Sequence, residues 1–107
     1  MSKYELYLNE IKRTISTIEN SVKGYDYNKF SKDKNLIDAS AMRIQVIGES
    51  AKKLPNDFKK DKKDIWKDFE RMRNIISHAY IVFNKKIIWK VILEEIPELK
   101  KMINKKK

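Results

Sequence analysis

Apolar residues recur along this chain at spacings of three and four, the pattern that places them on one face of a helix. The first such stripe consists of Tyr4, Leu8, Ile11, Ile15, Ile18 and Val22. Gly24 follows this stripe and predicts the end of the first helix. The second stripe consists of Ile37, Ala41, Ile44, Gly48 and Ala51. Three of its five residues are small, so we expect another helix to pack closely against this face.

Two further stripes follow Pro55, which interrupts the second helix because proline has no amide hydrogen to donate. The third stripe consists of Ile65, Phe69, Met72, Ile76, Ala79 and Phe83. The fourth consists of Ile88, Val91, Glu95 and Leu99, and Asn84 is its predicted N-cap. Pro97 stands where a last short helix can begin. Residues 24–35 and 54–64 lack the pattern, and we predict that they form loops.

These patterns predict an all-α protein, a bundle of four main helices plus a short C-terminal helix. No segment alternates with period two for long enough to form a strand. With 107 residues, the chain is expected to form a single domain over residues 1–107, near the size at which a second copy often completes the core. Residues 105–107, all lysine, are expected to be a disordered tail.

The composition excludes several kinds of site. The absence of cysteine excludes disulfides, thiolate metal sites and cysteine nucleophiles, and His78 is the only histidine, which excludes a multi-histidine metal site. The chain lacks a run of eighteen apolar residues, and its N-terminus carries glutamates where a signal peptide needs apolar residues. We therefore expect a soluble, cytoplasmic protein without a membrane partner.

The net charge of +10 favours a polyanionic partner, because each neutralised phosphate releases counterions and strengthens binding. However, 21 of the 25 basic residues are lysines scattered along the chain, and such lysines are commonly a solvated surface. The charge alone therefore leaves two interpretations open, a general nucleic-acid-binding protein and a helical protein with an ordinary lysine-rich surface.

The segment "RMRNIISHAY" contains the only histidine and two of the four arginines of the sequence, and it lies on the third predicted helix. With about 100° of rotation per residue, Arg73 and Tyr80 share one flank of the apolar face, whereas Asn74 and His78 point away from the core. Arg73 and His78 are about 140° apart on an ideal helix. They can meet at one phosphate only if the helix is distorted or a second chain contributes, which favours a site built by a dimer. An ordinary surface histidine is the alternative.

The chemistry of this pair suits RNA cleavage. A histidine with a pKa near neutrality can exchange protons with a ribose hydroxyl, and an arginine can bind a phosphate and neutralise the charge that develops on it. The 2′-hydroxyl of RNA is an internal nucleophile, so the protein need not supply one. The acidic residues near the site alternate with lysines and are typical of a solvated loop and helix start rather than a metal site. They are Asp57, Asp61, Asp64 and Asp68.

The sequence resembles the HepT-like toxins of the HEPN superfamily. The resemblance rests first on a motif in which four residues separate Arg73 from His78 and one residue separates His78 from Tyr80. It rests also on the segments "RIQVIGESAKKLP", "IW" and "IIWKVILEEIPELKKMI", which stand in the same order as in the family. The resemblance covers nearly the whole chain. It implies a HEPN-type helical bundle that forms a homodimer and brings the arginine and histidine of both chains to one RNA-cleaving cleft. It also implies that the reaction requires no metal or other cofactor.

The resemblance also implies roles for four residues. Arg73 would bind the phosphate and the transition state, His78 would transfer protons, and Asn74 would support the site. Tyr80 corresponds to the tyrosine that a cognate minimal nucleotidyltransferase, the MntA-like antitoxin, modifies with AMP to silence the toxin. The expected function is therefore that of a metal-independent endoribonuclease toxin of a toxin–antitoxin pair.

Three residues depart from the family pattern, and one alternative function remains open. Glu70 and Arg71 stand where smaller or neutral residues are expected, and Asn84 stands where an aspartate often follows the tyrosine. Arg71 is either an additional contact to the RNA backbone or a surface charge. The alternative function is that of a non-catalytic substrate-binding or accessory subunit of a minimal nucleotidyltransferase, because the fold alone does not determine activity.

Overall fold

A computed structural model describes residues 3–104, and the expected tail at 105–107 lies outside these residues. The structure consists of helices with short connections, and no strand occurs among the described residues. The helices are α1 (Lys3–Ser21), α2 (Tyr27–Ser31), α3 (Lys34–Lys52), α4 (Asn56–Asp61), α5 (Trp66–Val82), α6 (Lys85–Lys90) and α7 (Ile96–Asn104). A π-helical segment, Val91–Glu95, joins α6 directly to α7. The prediction of an all-α bundle is confirmed, with α1, α3, α5 and residues 85–104 as its main helices.

The predicted apolar stripes form most of the core. Helix α3 packs against both α1 and α5, so it lies at the centre of the bundle. The buried apolar residues of these three helices are Leu8, Ile11, Ile15, Ile18, Ile37, Ala41, Ile44, Ile47, Ala51, Phe69, Met72, Ile76 and Ala79. The C-terminal helices close the bundle with Ile88, Trp89, Val91, Ile92, Ile96, Leu99 and Ile103. The spacing of three and four therefore predicted the buried faces correctly.

The prediction of loops at residues 24–35 and 54–64 was wrong, because each segment contains a short helix. In α2, the side chain of Asp26 caps the N-terminus by accepting a hydrogen bond from the amide of Lys29 at 2.8 Å. Phe30 in α2 and Phe58 in α4 are completely buried. A helix of five or six residues is too short to show an apolar period, and one buried phenylalanine anchors each of them to the core.

Helix α3 begins with a cap that the sequence pattern did not predict. The carboxylate of Asp33 accepts hydrogen bonds from the amide of Leu36 at 3.0 Å and from the hydroxyl of Tyr25 at 2.8 Å. These two bonds stabilise the charged form and lower the pKa of Asp33 below its ordinary value. The cap therefore fixes where α3 starts.

The end of α5 also differs from the prediction. Phe83 was expected on the buried stripe, but it lies after the helix in the left-handed conformation, with φ of 44°, and its side chain is 49% exposed. Ile65 lies just before α5 and is half-buried. The left-handed residue turns the chain into α6, where the side chain of Asn84 accepts bonds from the amides of Lys86 and Ile87. The predicted N-cap at Asn84 is confirmed.

Pro97 lies in the first turn of α7, as predicted, but no loop separates α7 from the preceding helix. Proline cannot donate a hydrogen bond to the carbonyl four residues earlier, and its ring would collide with that group in a regular helix. The π-helical segment accommodates the proline, since the amide of Ile96 bonds to the carbonyl of Val91, five residues earlier. The C-terminal region is therefore one continuous helix instead of two separate ones.

The small-residue face of α3 brings α5 close, as predicted. A Cβ atom added to Gly48 would lie 2.8 Å from Oγ of Ser77 and 3.8 Å from its Cα. Gly48 is therefore at a close contact between the two helices, and α5 is held against α3 at the level of Ser77. This contact determines the rotation of α5 about its own axis, which decides the direction of every side chain in "RMRNIISHAY".

The Gly48 contact predicts a coupling between two substitutions. In a Ser77→Ala background, Gly48→Ala should raise the free energy of unfolding by roughly 0.5–1 kcal/mol, because alanine is the better helix former. With Ser77 present, the gain should be smaller or negative, because the new methyl group displaces the hydroxyl. Urea unfolding of the four proteins of the cycle at one concentration measures the difference. An equal gain in both backgrounds would mean that the helices are not in close contact here.

Candidate active site on helix α5

All ten residues of "RMRNIISHAY" lie within α5, which is a regular α-helix from Trp66 to Val82. Its core-facing residues occupy one side, and Asn74 and His78 are exposed on the other. Arg73 and Tyr80 are half-buried at the border between the core and solvent. These four side chains therefore point in the directions that the sequence predicted.

Arg73 lacks a strong partner among residues 3–104. Its nearest carboxylate is that of Glu70, one turn earlier, and the Nη2–Oε2 distance of 3.8 Å is too long for a good hydrogen bond. Its Nε atom is buried and has no hydrogen-bond partner among the described residues. A ligand cannot reach this buried atom, but the Arg73 side chain as a whole is 21% exposed, and the weak contact with Glu70 leaves the accessible end of its guanidinium available to an anion. Arg73 is therefore well placed to bind an anion.

Tyr80 lines a groove between α3 and α5 with a volume of about 130 Å³. Ser77 and Ile81 of α5 form the same side of the groove, and Gln45, Glu49 and Lys52 of α3 form the opposite side. Sequence reasoning missed Ser77 and the three α3 residues. The three α3 residues are spaced by four and three, beside the small-residue face that contacts α5, and this spacing could have identified them from the sequence. Tyr80 thus stands among hydrogen-bonding and charged groups at the same flank of α5 as Arg73.

Arg73 and His78 do not meet within one chain. Because α5 is regular over this stretch, the two residues keep their offset of about 140° and a rise of about 7.5 Å. The distortion that could have brought them together is absent from α5. His78 instead shares the solvent-facing side with Lys67, Arg71 and Asn74, all exposed and spaced by four, three and four. One protomer therefore presents an arginine on a flank and a histidine on a basic, exposed face.

An exposed apolar cluster adjoins the histidine at the C-terminal end of α5. Ile81 is 75% exposed, and Val82, Phe83 and Ile87 are exposed as well. Consecutive large apolar residues in solvent are costly for an isolated protein and are typical of surfaces that contact another molecule. Because Ile81 is only three residues after His78, a molecule that covers the cluster also approaches the histidine.

Residues 3–104 contain neither a cluster of metal-binding side chains nor a membrane-spanning helix. No three His, Cys, Asp or Glu side chains of this range converge on a position that could hold a metal ion. None of its helices is both long and apolar enough to cross a membrane.

Comparison with known proteins assigns the family. Residues 11–105 match the family model described as Ribonuclease HepT-like. A Caldanaerobacter subterraneus subsp. tengcongensis protein that carries an RNase name is 39% identical over 98 residues, covering 91% of this chain and 88% of that protein. A Thermococcus cleftensis protein named as a probable ribonuclease HepT is 36% identical over 95 residues, covering 88% of this chain and 86% of that protein. No solved structure matches the chain. The chain therefore belongs to the HepT-like ribonuclease family of the HEPN superfamily.

Proposed function

We propose that the protein is a metal-independent endoribonuclease toxin of a toxin–antitoxin pair, in which Arg73 and His78 from two protomers form the RNA-cleaving cleft. The observation that carries the proposal is a partly exposed Arg73, paired only weakly with Glu70 at 3.8 Å among the described residues, on a helix whose other side presents His78 to solvent. Membership of the HepT-like ribonuclease family supports RNA as the substrate. An arginine that lacks an acceptor and an exposed histidine are the two groups that this reaction needs.

The proposed reaction uses the RNA itself as the nucleophile. His78 removes the proton of a 2′-hydroxyl, and the oxygen attacks the adjacent phosphorus atom. A new O–P bond forms, the bond to the 5′-oxygen of the next nucleotide breaks, and that oxygen receives a proton. The products are a 2′,3′-cyclic phosphate and a free 5′-hydroxyl. Arg73 binds the phosphate through its guanidinium and stabilises the additional negative charge of the transition state.

A symmetric dimer would supply both groups to one cleft. The exposed cluster of Ile81, Val82, Phe83 and Ile87 offers an apolar surface that a second copy can cover. Such a contact would bring the partner's α5 next to His78, because the cluster begins three residues after it. Asn74, exposed one turn before His78, would lie in the same cleft and could donate a hydrogen bond to the RNA or to the histidine.

Tyr80 is the proposed target of a cognate nucleotidyltransferase antitoxin. Its side chain is half-buried and lines the groove that also contains Lys52, and it lies on the flank of Arg73. An AMP group on Tyr80 would carry a negative phosphate into this region, where Arg73 or Lys52 could bind it. The modified protein would exclude RNA through both the charge and the bulk of the nucleotide.

The first prediction of this proposal is RNA cleavage that persists in EDTA. His78→Ala and Arg73→Ala should each lower the rate by about 10² to 10⁴, because each removes a group that acts in the transition state. Arg13→Ala is the matched control, since Arg13 is 72% exposed and pairs with Glu10. Circular dichroism should show that all three variants remain helical. Loss of activity in EDTA that magnesium restores would contradict the proposed mechanism.

Mixing the two inactive variants tests whether the cleft is shared. In a heterodimer of Arg73→Ala and His78→Ala, the shared cleft keeps one Arg73 and one His78, each from a different chain, so each heterodimer should recover up to about half of the activity of a wild-type dimer. Unfolding and refolding the two variants together allows their subunits to exchange. Sedimentation at each protein concentration that is assayed shows whether the protein is a dimer. A monomer with full activity, or a refolded mixture of dimers without recovery, would rule out a site built from both chains.

Tyr80 provides the second prediction. Co-expression with the cognate nucleotidyltransferase should add the mass of AMP to Tyr80 and suppress cleavage. Tyr80→Phe should retain RNase activity, because Arg73 and His78 remain, but should be toxic even beside the partner. Tyr27→Phe, on α2, is the control and should still be silenced. Intact-mass and peptide analysis decides the question: an unmodified Tyr80 in a silenced complex would mean that the partner inhibits by covering the cleft.

Glu70 provides the third prediction, because its carboxylate is the only acidic group within 4 Å of Arg73 among the described residues. Glu70→Gln should lower KM for RNA by a few-fold at low salt, since an exposed pair of this kind contributes roughly 0.2–1 kcal/mol. The difference should fade as salt screens the charges. Glu98→Gln, which removes a similar exposed partner from Lys101, is the control. An unchanged KM at low salt would show that Glu70 does not compete with RNA for Arg73.

A further inference from the structure

A second groove lies at the opposite end of α5 from Tyr80. It has a volume of about 290 Å³ and is lined by Lys59 of α4, by Lys63 and Asp64 of the connecting turn, and by Trp66, Lys67 and Asp68 of α5. It is more than twice as large as the groove beside Tyr80. None of its residues belongs to the proposed catalytic pair.

Trp66 provides this groove with a fixed aromatic wall. Its ring is half-buried and packs against Phe58 and Phe69, with centroid distances of 6.1 and 5.9 Å. These contacts hold the indole from the inside of the bundle. On the solvent side, the ammonium of Lys59 lies over the ring, 5.7 Å from its centroid. The ring is therefore accessible to an approaching group, and the side chain that covers it is a flexible lysine.

The charges around Trp66 favour a polyanion. Lys59, Lys63 and Lys67 surround the ring, whereas Asp64 and Asp68 are the acidic members of the groove. Asp68 is in the first turn of α5, where a carboxylate also interacts favourably with the helix dipole. An aromatic ring flanked by cations is the arrangement by which proteins bind single-stranded nucleic acids, because a base stacks on the ring while the cations bind phosphates.

The groove is in line with Arg73 along α5. Trp66 is seven residues before Arg73, almost two helical turns, so the two side chains lie on the same flank about 10 Å apart along the axis. Both are half-buried at the border of the core. A single strand whose phosphate is bound by Arg73 can therefore continue along this flank to the groove without crossing the bundle.

We propose that the groove around Trp66 is a binding subsite for single-stranded RNA, in which a nucleobase near the cleaved bond stacks on the indole and the neighbouring phosphates bind Lys59, Lys63 and Lys67. The proposal rests on the proposed ribonuclease function and specifies how the substrate is held. The base displaces the ammonium of Lys59 from the ring, and that ammonium is then free to bind a phosphate. Stacking accepts any base, so the subsite adds affinity and direction without requiring a sequence.

The two tryptophans of the chain allow a direct test, because they lie at opposite ends of the bundle. Trp89 is buried against Phe30 of α2, whereas α4 and Trp66 lie beside the N-terminal end of α1, where Tyr4 contacts Phe58. In a His78→Ala background, which prevents cleavage, Trp89→Phe leaves Trp66 as the only tryptophan. Single-stranded RNA should quench its fluorescence, and inorganic polyphosphate should not. The reciprocal Trp66→Phe protein, which reports on Trp89, should show no quenching.

The affinities of His78→Ala variants for a labelled single-stranded RNA distinguish the contribution of base stacking from that of charge. Trp66→Leu keeps an apolar group against Phe58 and Phe69 but removes the stacking surface, and should weaken binding on the order of ten-fold. Trp66→Phe should weaken binding less. Lys63→Gln should reduce the slope of log affinity against log salt by about 0.7, the value for one lost contact to a single strand. Lys23→Gln, at the other end of α1, should leave the slope unchanged.

The outcomes distinguish this proposal from the proposed function. The subsite proposal is wrong if saturating RNA leaves the fluorescence of Trp66 unchanged and the Trp66→Leu and Lys63→Gln variants bind RNA as tightly as their parent. If the wild-type chain nevertheless cleaves RNA, the ribonuclease proposal stands. If RNA is neither bound nor cleaved, both are wrong. Thermal unfolding shows whether Trp66→Leu remains folded. If it does not, the fluorescence and the salt dependence of Lys63→Gln decide the question.

Discussion

The packing of α5 against α3 is the contact on which the candidate site depends. Gly48 has no side chain, so α3 approaches α5 until Ser77 fills the space where a Cβ atom would be. This contact and the buried residues on the inner face of α5 prevent the helix from rotating about its axis. The rotation in turn places Arg73 and Tyr80 at the border of the core and His78 in solvent. A side chain at position 48 would displace the Ser77 hydroxyl, and one larger than alanine would also press on the backbone of α5.

The same constraint explains why Arg73 and His78 are separated within one chain. A regular helix cannot bring residues five positions apart to one point, and α5 has neither a π-turn nor a proline that would distort it. Arg73 is left with a buried Nε that no described residue satisfies, and His78 with an exposed ring beside an apolar cluster. The buried Nε and the exposed apolar cluster are both unfavourable in an isolated chain, and a second molecule that covers the cluster would remove the cost of exposing it.

The flank of α5 carries three of the residues to which we assign proposed roles. Trp66, Arg73 and Tyr80 are seven residues apart, so they recur on one side of the helix at nearly two-turn intervals. All three are half-buried, which gives each side chain a fixed base and an accessible tip. A linear ligand on this flank could contact all three positions, and Tyr80 stands at one end of the row.

The sequence by itself determined the helical class, the buried faces of the main helices and the directions of Arg73, His78 and Tyr80, because all of these follow from the helical period of the chain. The family also followed from local motifs. Tertiary structure alone decided the short helices anchored by Phe30 and Phe58, which show no period of their own. It also decided the two grooves, since their walls combine residues from α3, α4 and α5 that are distant in the sequence or separated by a turn. Such combinations depend on how helices pack, and periodicity within one helix carries no information about its neighbours.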